Sequence, residues 1–204
     1  AYALLEKTEG GTIVLCGDIT VSSTPSTSHE GLITFTSRDP STGETYDAAM
    51  TIGNSGAAFY LFFGYRTAFE DFTFAETGTY DINIYTGISF MFGENVTTGN
   101  VYPGAQYKVY CGSRAENLSD KDLYIKLMSG NFQQILLGNT TNDVGDVTFI
   151  FGGTAYVVSN VSLGGQSHSS GNIDFTMTGG YIKVIYDTPR YGGTVGDVAL
   201  KLLG

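Results

Sequence analysis

Apolar and polar side chains alternate with a period of two along almost the whole chain, and this alternation most limits how the chain can fold. In "GLITFTS" (31–37), Leu32, Thr34 and Thr36 alternate with Ile33 and Phe35. In "TYDINIY" (79–85), Tyr80, Ile82 and Ile84 alternate with Asp81 and Asn83. "GNIDFTMTG" (171–179), "YIKVIYD" (181–187) and "DVALKLL" (197–203) behave in the same way. A period of two places successive side chains on opposite faces of a strand, so these stretches predict strands with one buried face. "AAFYLFF" (57–63), apolar on both parities, predicts a strand covered on both sides.

Turn-forming clusters separate these runs: "SSTPSTSHEG" (22–31), "SRDPSTGE" (37–44), "TTGN" (97–100), "TTNDVG" (140–145) and "GGQSHSSG" (164–171). Their spacing of about 8–15 residues is that of an all-β sandwich, Ig-like or jelly-roll-like. "FTFAETGTYDINIYTG" adds the shape of a tyrosine corner, with Glu76 and Gly78 leading to Tyr80 at the start of a strand; an ordinary buried tyrosine after a tight turn reads the same way. "SDKDLYIKLM" opens like a capping box, Ser119 to Asp122, but continues with strand alternation. No repeat of about 20–50 residues stands out and no linker divides the chain. The expected organisation is therefore an N-terminal strand and hinge over 1–11, followed by a single β-sandwich domain over 12–204.

Charge narrows the functional classes. Only 15% of the 204 residues are charged and the net charge is −10, so surface polarity must come from Ser, Thr, Asn and the 28 glycines. An acidic chain lacks the clustered Lys and Arg that neutralise nucleic-acid phosphates, and an anionic membrane surface is disfavoured for the same reason. No apolar run reaches about 18 residues, so no transmembrane helix is expected. Low charge and acidic balance would suit an acidic or otherwise harsh exterior.

Cys16 and Cys111 lie in separate strand-like runs and cannot form a four-ligand zinc site or a C-x-x-C redox pair. They are expected to form a structural disulfide, with two buried thiols as the alternative. A loop of about 95 residues closed in this way would contribute about 4–5 kcal/mol. Four N-glycosylation sequons begin at Asn95, Asn117, Asn139 and Asn160. Together with the cysteine pair and a chain that does not begin with Met, they predict an extracellular glycoprotein carrying N-linked glycans.

Catalytic signatures are weak. His29 and His168 both sit in Ser/Gly-rich loops, and the chain has no G-x-S-x-G, H-E-x-x-H or P-loop pattern. Glu70, Asp71 and Glu76 could supply a glycosidase carboxylate pair, but the chain has no Trp platform for a sugar. Asn142, Asp143 and Asp146 give only a weak calcium signal, because acid-rich turns are common without metal. The expectation is a non-enzyme with no cofactor and no metal.

The N-terminal residues Ala1, Tyr2, Ala3, Leu4 and Leu5 form an apolar patch at an end that is ordinarily solvated. They could be a first core element of their own domain. Alternatively they could be a donor strand that completes another subunit's sheet, with Gly10 and Gly11 as its hinge. Burial of Tyr2, Leu4 and Leu5 would contribute about 1.5–3 kcal/mol each.

"VYPGAQYKVYCGSRAENLSDKDLYIKLMSG" (101–130) combines a Pro-Gly turn, an alternating strand, a loop carrying Asn117 and a second strand. It resembles the corresponding segment of the TasA/camelysin biofilm-fibre family, to which archaeal bundling pili and thread filaments are similar. That resemblance implies a jelly-roll-like subunit that donates its N-terminal strand to the next copy in a head-to-tail homopolymer serving adhesion or biofilm formation. The other readings from the sequence are a secreted β-sandwich binding module for a glycan or surface protein, and a viral jelly-roll coat protein.

Overall fold

The computed structural model describes residues 9–21, 30–52, 59–62, 65–75, 81–99, 106–114, 116–187 and 192–203. It is all-β, but it is not a sandwich. The chain winds as a parallel β-solenoid of about six turns, which overturns the jelly-roll-like or Ig-like expectation.

The rungs follow one another in chain order. The first holds β1 (Gly11–Val14) and β2 (Ile19–Val21). The second holds β3 (Ile33–Thr36), β4 (Ala49–Ile52) and β5 (Phe59–Phe62). The third holds β6 (Arg66–Glu70), β7 (Phe72–Ala75) and β8 (Asp81–Tyr85). The fourth holds β9 (Ser89–Phe92), β10 (Val96–Thr97) and β11 (Gln106–Tyr110). Two-sided rungs follow: β12 (Leu123–Leu127) with β13 (Asn131–Leu136), then β14 (Val147–Phe151) with β15 (Tyr156–Ser162). The last are β16 (Ile173–Met177) with β17 (Tyr181–Ile182) and β18 (Ile185–Tyr186), and finally β19 (Val198–Leu202).

Stacking these rungs gives three sheets. The first runs β1-β3-β6-β9-β12-β14-β16-β19, and the second runs β10-β7-β4-β2. The third runs β17-β15-β13-β11-β8-β5, with β18 also on β15. Every strand pairing is parallel. The second sheet ends at β10, so the cross-section narrows from three sides to two. Beyond that point, tight corners at Gly153 (φ +55°) and Gly180 (φ +76°) turn the chain straight from the first sheet to the third. Both adopt the left-handed conformation that glycine enters without steric cost.

The alternation predicted from the sequence is present, but its buried face points into a solenoid. Register stacks the inward residues of the first sheet into columns. One runs Ile13, Phe35, Phe69, Phe92, Leu127, Phe151, Met177, Leu202. Its neighbour runs Ile33, Thr67, Phe90, Ile125, Phe149, Phe175, Leu200. Parallel rungs lie about 4.8 Å apart, so aromatic side chains in one column meet their own kind above and below. Phe35 and Phe69 stack at 5.0 Å with an interplanar angle of 13°. Phe69 also meets Phe72, Phe74, Phe90 and Phe92 at centroid distances of 5.0 to 6.0 Å. The ring pairs add roughly 0.5–1.5 kcal/mol each beyond area burial.

The corners carry a repeat, against the expectation that none of about 20–50 residues is present. Val144-Gly145-Asp146-Val147, Ser170-Gly171-Asn172-Ile173 and Val195-Gly196-Asp197-Val198 occupy the same corner on successive rungs. The amide of Asn172 donates to Asp146 Oδ1 at 2.7 Å, 26 residues back. The amide of Asp197 donates to Asn172 Oδ1 at 2.9 Å, 25 residues back. Each carboxylate or amide side chain thus satisfies a backbone donor that the corner would otherwise leave unpaired. Glycine precedes it because no side chain fits between rungs there. A Cβ on Gly145 would lie 2.4 Å from the Lys121 carbonyl oxygen, and one on Gly171 would lie 2.3 Å from Asp146 Oδ1.

Two substitutions separate column packing from corner packing. Phe69→Ala should cost about 3–5 kcal/mol, and Gly171→Ala about 1–3 kcal/mol. Gly17→Ala, where a Cβ meets nothing within 4 Å, should leave stability within about 0.5 kcal/mol of the parent. Urea unfolding followed by far-UV circular dichroism reads all three, and a neutral Gly171→Ala would refute the corner account.

Candidate functional site

The solenoid scatters the residues that the sequence singled out. Cys16 and Cys111 are both free thiols, so the expected disulfide is not formed. Cys16 follows β1 on the first rung and is exposed, while Cys111 follows β11 on the fourth and is buried. Three rung spacings of about 4.8 Å amount to roughly 14 Å, about twice the Cα separation that a disulfide tolerates. Burial pushes the Cys111 thiol well above its ordinary range, against the smaller opposing effect of a hydrogen bond with the Thr86 side chain.

The four sequons divide into two kinds. Asn95 and Asn117 are exposed. Asn95 donates its amide to Asp71 Oδ1 at 2.8 Å, and Asn117 Oδ1 accepts the Ser119 amide at 3.0 Å. Asn139 is fully buried; its side chain donates to the Ser113 carbonyl and accepts the Thr140 amide at 2.6 Å. Asn160 is also buried, and its Oδ1 accepts from Gln134 at 3.3 Å and Ser159 at 3.1 Å. A glycan on either buried asparagine is incompatible with the folded rung. Both asparagines instead hold a ladder or corner together, as Asn and Asp side chains do in turns.

Ala1, Tyr2, Ala3, Leu4 and Leu5 lie outside the described residues, as do His29, Glu76, Gly78 and Tyr80. Gly10 and Gly11 are built into the first rung and do not form a free hinge. The Gly11 amide donates to the Leu32 carbonyl at 2.9 Å, and a Cβ on Gly10 would lie 2.1 Å from that same oxygen. His168 faces Asp143 at 3.6 Å. Among the described residues no group of three or more His, Cys, Asp or Glu could hold a metal ion, and Asp146 is committed to the corner ladder.

Glu70 and Asp71 lie at the bend between β6 and β7. Asp71 has φ +46°, the one non-glycine residue with positive φ among those described. Its carbonyl accepts the Ser37 amide at 3.0 Å and the Ser37 hydroxyl, while its carboxylate accepts from Asn95 and lies 3.9 Å from Arg38. These bonds hold a conformation that costs about 1–3 kcal/mol. Three shallow clefts of about 240, 310 and 450 Å³ meet at this bend.

The most distinctive surface is the last rung. Val198, Leu200 and Leu202 continue the inward columns of Ile173, Phe175 and Met177. Yet they are 41%, 47% and 65% exposed, and Leu203 beside them is 58% exposed. On the opposite parity, Lys201 Nζ lies 3.1 Å from both Asp174 carboxylate oxygens. One edge of β19 pairs with β16, and among the described residues no strand pairs with the other. The corner ladder stops here too. Asp146 and Asn172 each accept an amide from the next rung, and among the described residues nothing donates to the Asp197 carboxylate. The surface therefore combines an apolar cross-section, an unpaired parallel strand edge and a waiting acceptor. The sequence shows the rung itself: "VGDVALKLL" repeats the corner and alternation of "VGDVTFIF".

The described residues define a parallel β-solenoid whose last described strand, β19, is largely exposed. No family model, curated protein or solved structure matches this chain.

The two thiols provide a direct check. Native protein should release about one equivalent of thionitrobenzoate rapidly, from Cys16, and the second only on unfolding in guanidinium. Because burial holds the Cys111 proton, its contribution to stability is complete below the ordinary thiol pKa and declines as pH rises above it. Cys111→Ala should flatten that part of the alkaline stability loss in a denaturation series from pH 8 to pH 11.

Proposed function

We propose that this chain is a structural subunit of an extracellular filament, built by end-to-end association of solenoids and serving adhesion or biofilm formation. The observation that carries the reading is the last rung, whose core columns end in uncovered Val198, Leu200 and Leu202 beside a free strand edge. An all-parallel stack ends in a surface that accepts one more strand of the same direction, and strand addition joins backbone hydrogen bonds to apolar burial. Solenoids need polar terminal caps to remain soluble as single units, and β19 has no such cap among the described residues. Contact between the end of one copy and a different part of the next is heterologous, so it propagates rather than closing.

The extracellular setting draws support from the exposed sequons at Asn95 and Asn117. The donor strand expected from the sequence lies outside the described residues, and its expected acceptor, a sandwich groove, falls with the sandwich fold. There is no incomplete sandwich with a groove, and the coat-protein reading loses the jelly roll on which it rested.

A second reading, a secreted binding module, rests on the strained Asp71 bend and the clefts that meet there. Binding would depend on Asp71 and Asn95 and would be indifferent to the last rung.

Analytical ultracentrifugation over a hundred-fold dilution series, with negative-stain microscopy of the concentrated sample, tests the first reading. Linear assemblies that shorten on dilution are expected. A sharp monomer boundary at every concentration would overturn the filament and leave the binding module.

A further inference from the structure

We propose that the corner between the first and second sheets is a binding groove for a linear, uncharged oligosaccharide lying along the solenoid axis. This rests on the second reading above, the binding module, and names its ligand class; it is independent of end-to-end assembly.

The groove arises from a mismatch between successive corners. β3 and β4 are joined through residues 37–48, β9 and β10 through 93–95, and β6 and β7 through Asp71 alone. The long connection of the second rung stands as a wall beside the short corner of the third, and Asp39, Pro40 and Gly43 share a cleft of about 450 Å³ with Glu70 and Asp71. Hydrogen bonds within the wall fix its shape. The Asp39 amide donates to the Glu44 carbonyl and the Gly43 amide to the Asp39 carbonyl, each at 2.8 Å, while the Asp39 carboxylate accepts the Ser41 amide at 2.7 Å. Ser37, at the base of the wall, donates to the Asp71 carbonyl, so the bend at Asp71 anchors the wall to the next rung.

The clefts join end to end. Glu70 and Asp71 belong both to the larger cleft and to one of about 240 Å³ that Glu94 and Lys126 line on the following rungs. The floor runs from Thr12 on β1 to Lys126 on β12, crossing β3, β6 and β9. Four spacings of about 4.8 Å make it roughly 19 Å long. A Cβ on Gly93 would lie 3.3 Å from Glu70 Cγ, so glycine keeps the floor low where Glu70 leans over it.

The chemistry of the groove selects the ligand. The larger cleft presents the Thr12 and Thr34 hydroxyls, the Arg38 guanidinium and the Glu70 carboxylate, and no aromatic or long aliphatic side chain lines it. A protein partner anchors through aromatic or aliphatic side chains seated in pockets, which this cleft does not offer. Cations stand at the two ends of the groove, Arg38 and Lys126, with the carboxylates of Glu70 and Glu94 between them. A polyanion would meet the carboxylates and a polycation the end charges, whereas a neutral polyol meets donors and acceptors throughout. Sugar hydroxyls donate to a carboxylate, accept from a guanidinium and exchange hydrogen bonds with threonine. Each rung advances about 4.8 Å, close to the length of one pyranose ring along a linear chain, so groups repeating once per rung meet groups repeating once per sugar.

Isothermal titration calorimetry of the full chain with cellopentaose, maltopentaose and mannopentaose, beside pentamers of galacturonan and chitosan, tests the proposal. At least one neutral pentamer should bind. Glu70→Gln and Arg38→Ala should each weaken that binding about ten-fold, the loss of one charged hydrogen bond, and Lys121→Ala, outside the groove, should leave it unchanged. Glu70 and Arg38 are exposed, and far-UV circular dichroism verifies that both variants fold. Binding of a neutral pentamer that is the same in both variants as in the parent would move the site elsewhere and overturn the inference. Binding confined to a charged pentamer and weakened in either variant would overturn the neutral ligand while the binding module stands. Binding of no pentamer at millimolar concentration would overturn both this inference and the module reading at this bend.

Discussion

Parallel, in-register stacking of rungs at one strand spacing is the constraint on which the rest of this structure depends. It converts an alternating sequence into columns, so that Phe35, Phe69, Phe92 and Phe151 share one line through the core although they are far apart in sequence. Each rung buries its inward face only because a neighbour lies above and below it, which makes stability approximately a sum of rung and interface contributions. The corners must obey the same spacing. That is why Gly145, Gly171 and Gly196 recur where a Cβ would strike the preceding rung, and why an Asx residue follows each one.

Column geometry also explains the sparse charge, which composition alone had linked to a harsh exterior. Identical charges stacked in register would sit about 4.8 Å apart and repel. The outward column Thr12, Thr34, Ala68, Met91, Lys126, Ile150, Thr176, Lys201 accordingly carries two lysines, three rungs apart. Two ion pairs between neighbouring strands are diagonal. Lys108 reaches Asp81 at 2.6 Å and Lys201 reaches Asp174 at 3.1 Å, each two residues beyond the position aligned with its partner. The same relation recurs on two different sheets, so it reflects the stacking and not a local accident.

Much of the strand content was legible, because period two reports a buried face whatever lies behind it. The runs around Ile33, Ile82, Ile173 and Leu200 all became strands. What alternation cannot report is whether a strand's neighbour comes from a hairpin or from the next turn of a coil. That information lay in the Gly-Asx corners, whose spacing of about 25 residues matches one circuit of the solenoid and was passed over as ordinary turn chemistry. The cysteines and two of the four sequons, at Asn139 and Asn160, depart from expectation for the same reason. In a sandwich Cys16 and Cys111 could face each other across the core, and loop asparagines would be exposed. In a solenoid the two thiols stand rungs apart, Asn139 is buried at a corner, and Asn160 is covered in a side-chain ladder with Gln134 on the neighbouring rung.

A stack of equivalent rungs has no intrinsic end, so termination has to be built into it. A hairpin sandwich can bury both of its sheets on each other, whereas a solenoid always presents a cross-section of its core wherever it stops. At β19 the cross-section is Val198, Leu200 and Leu202, and the residue that interrupts them on the edge is Lys201, whose charge is held by Asp174. A single lysine on the outward parity opposes unselective edge pairing, yet it leaves the apolar parity intact.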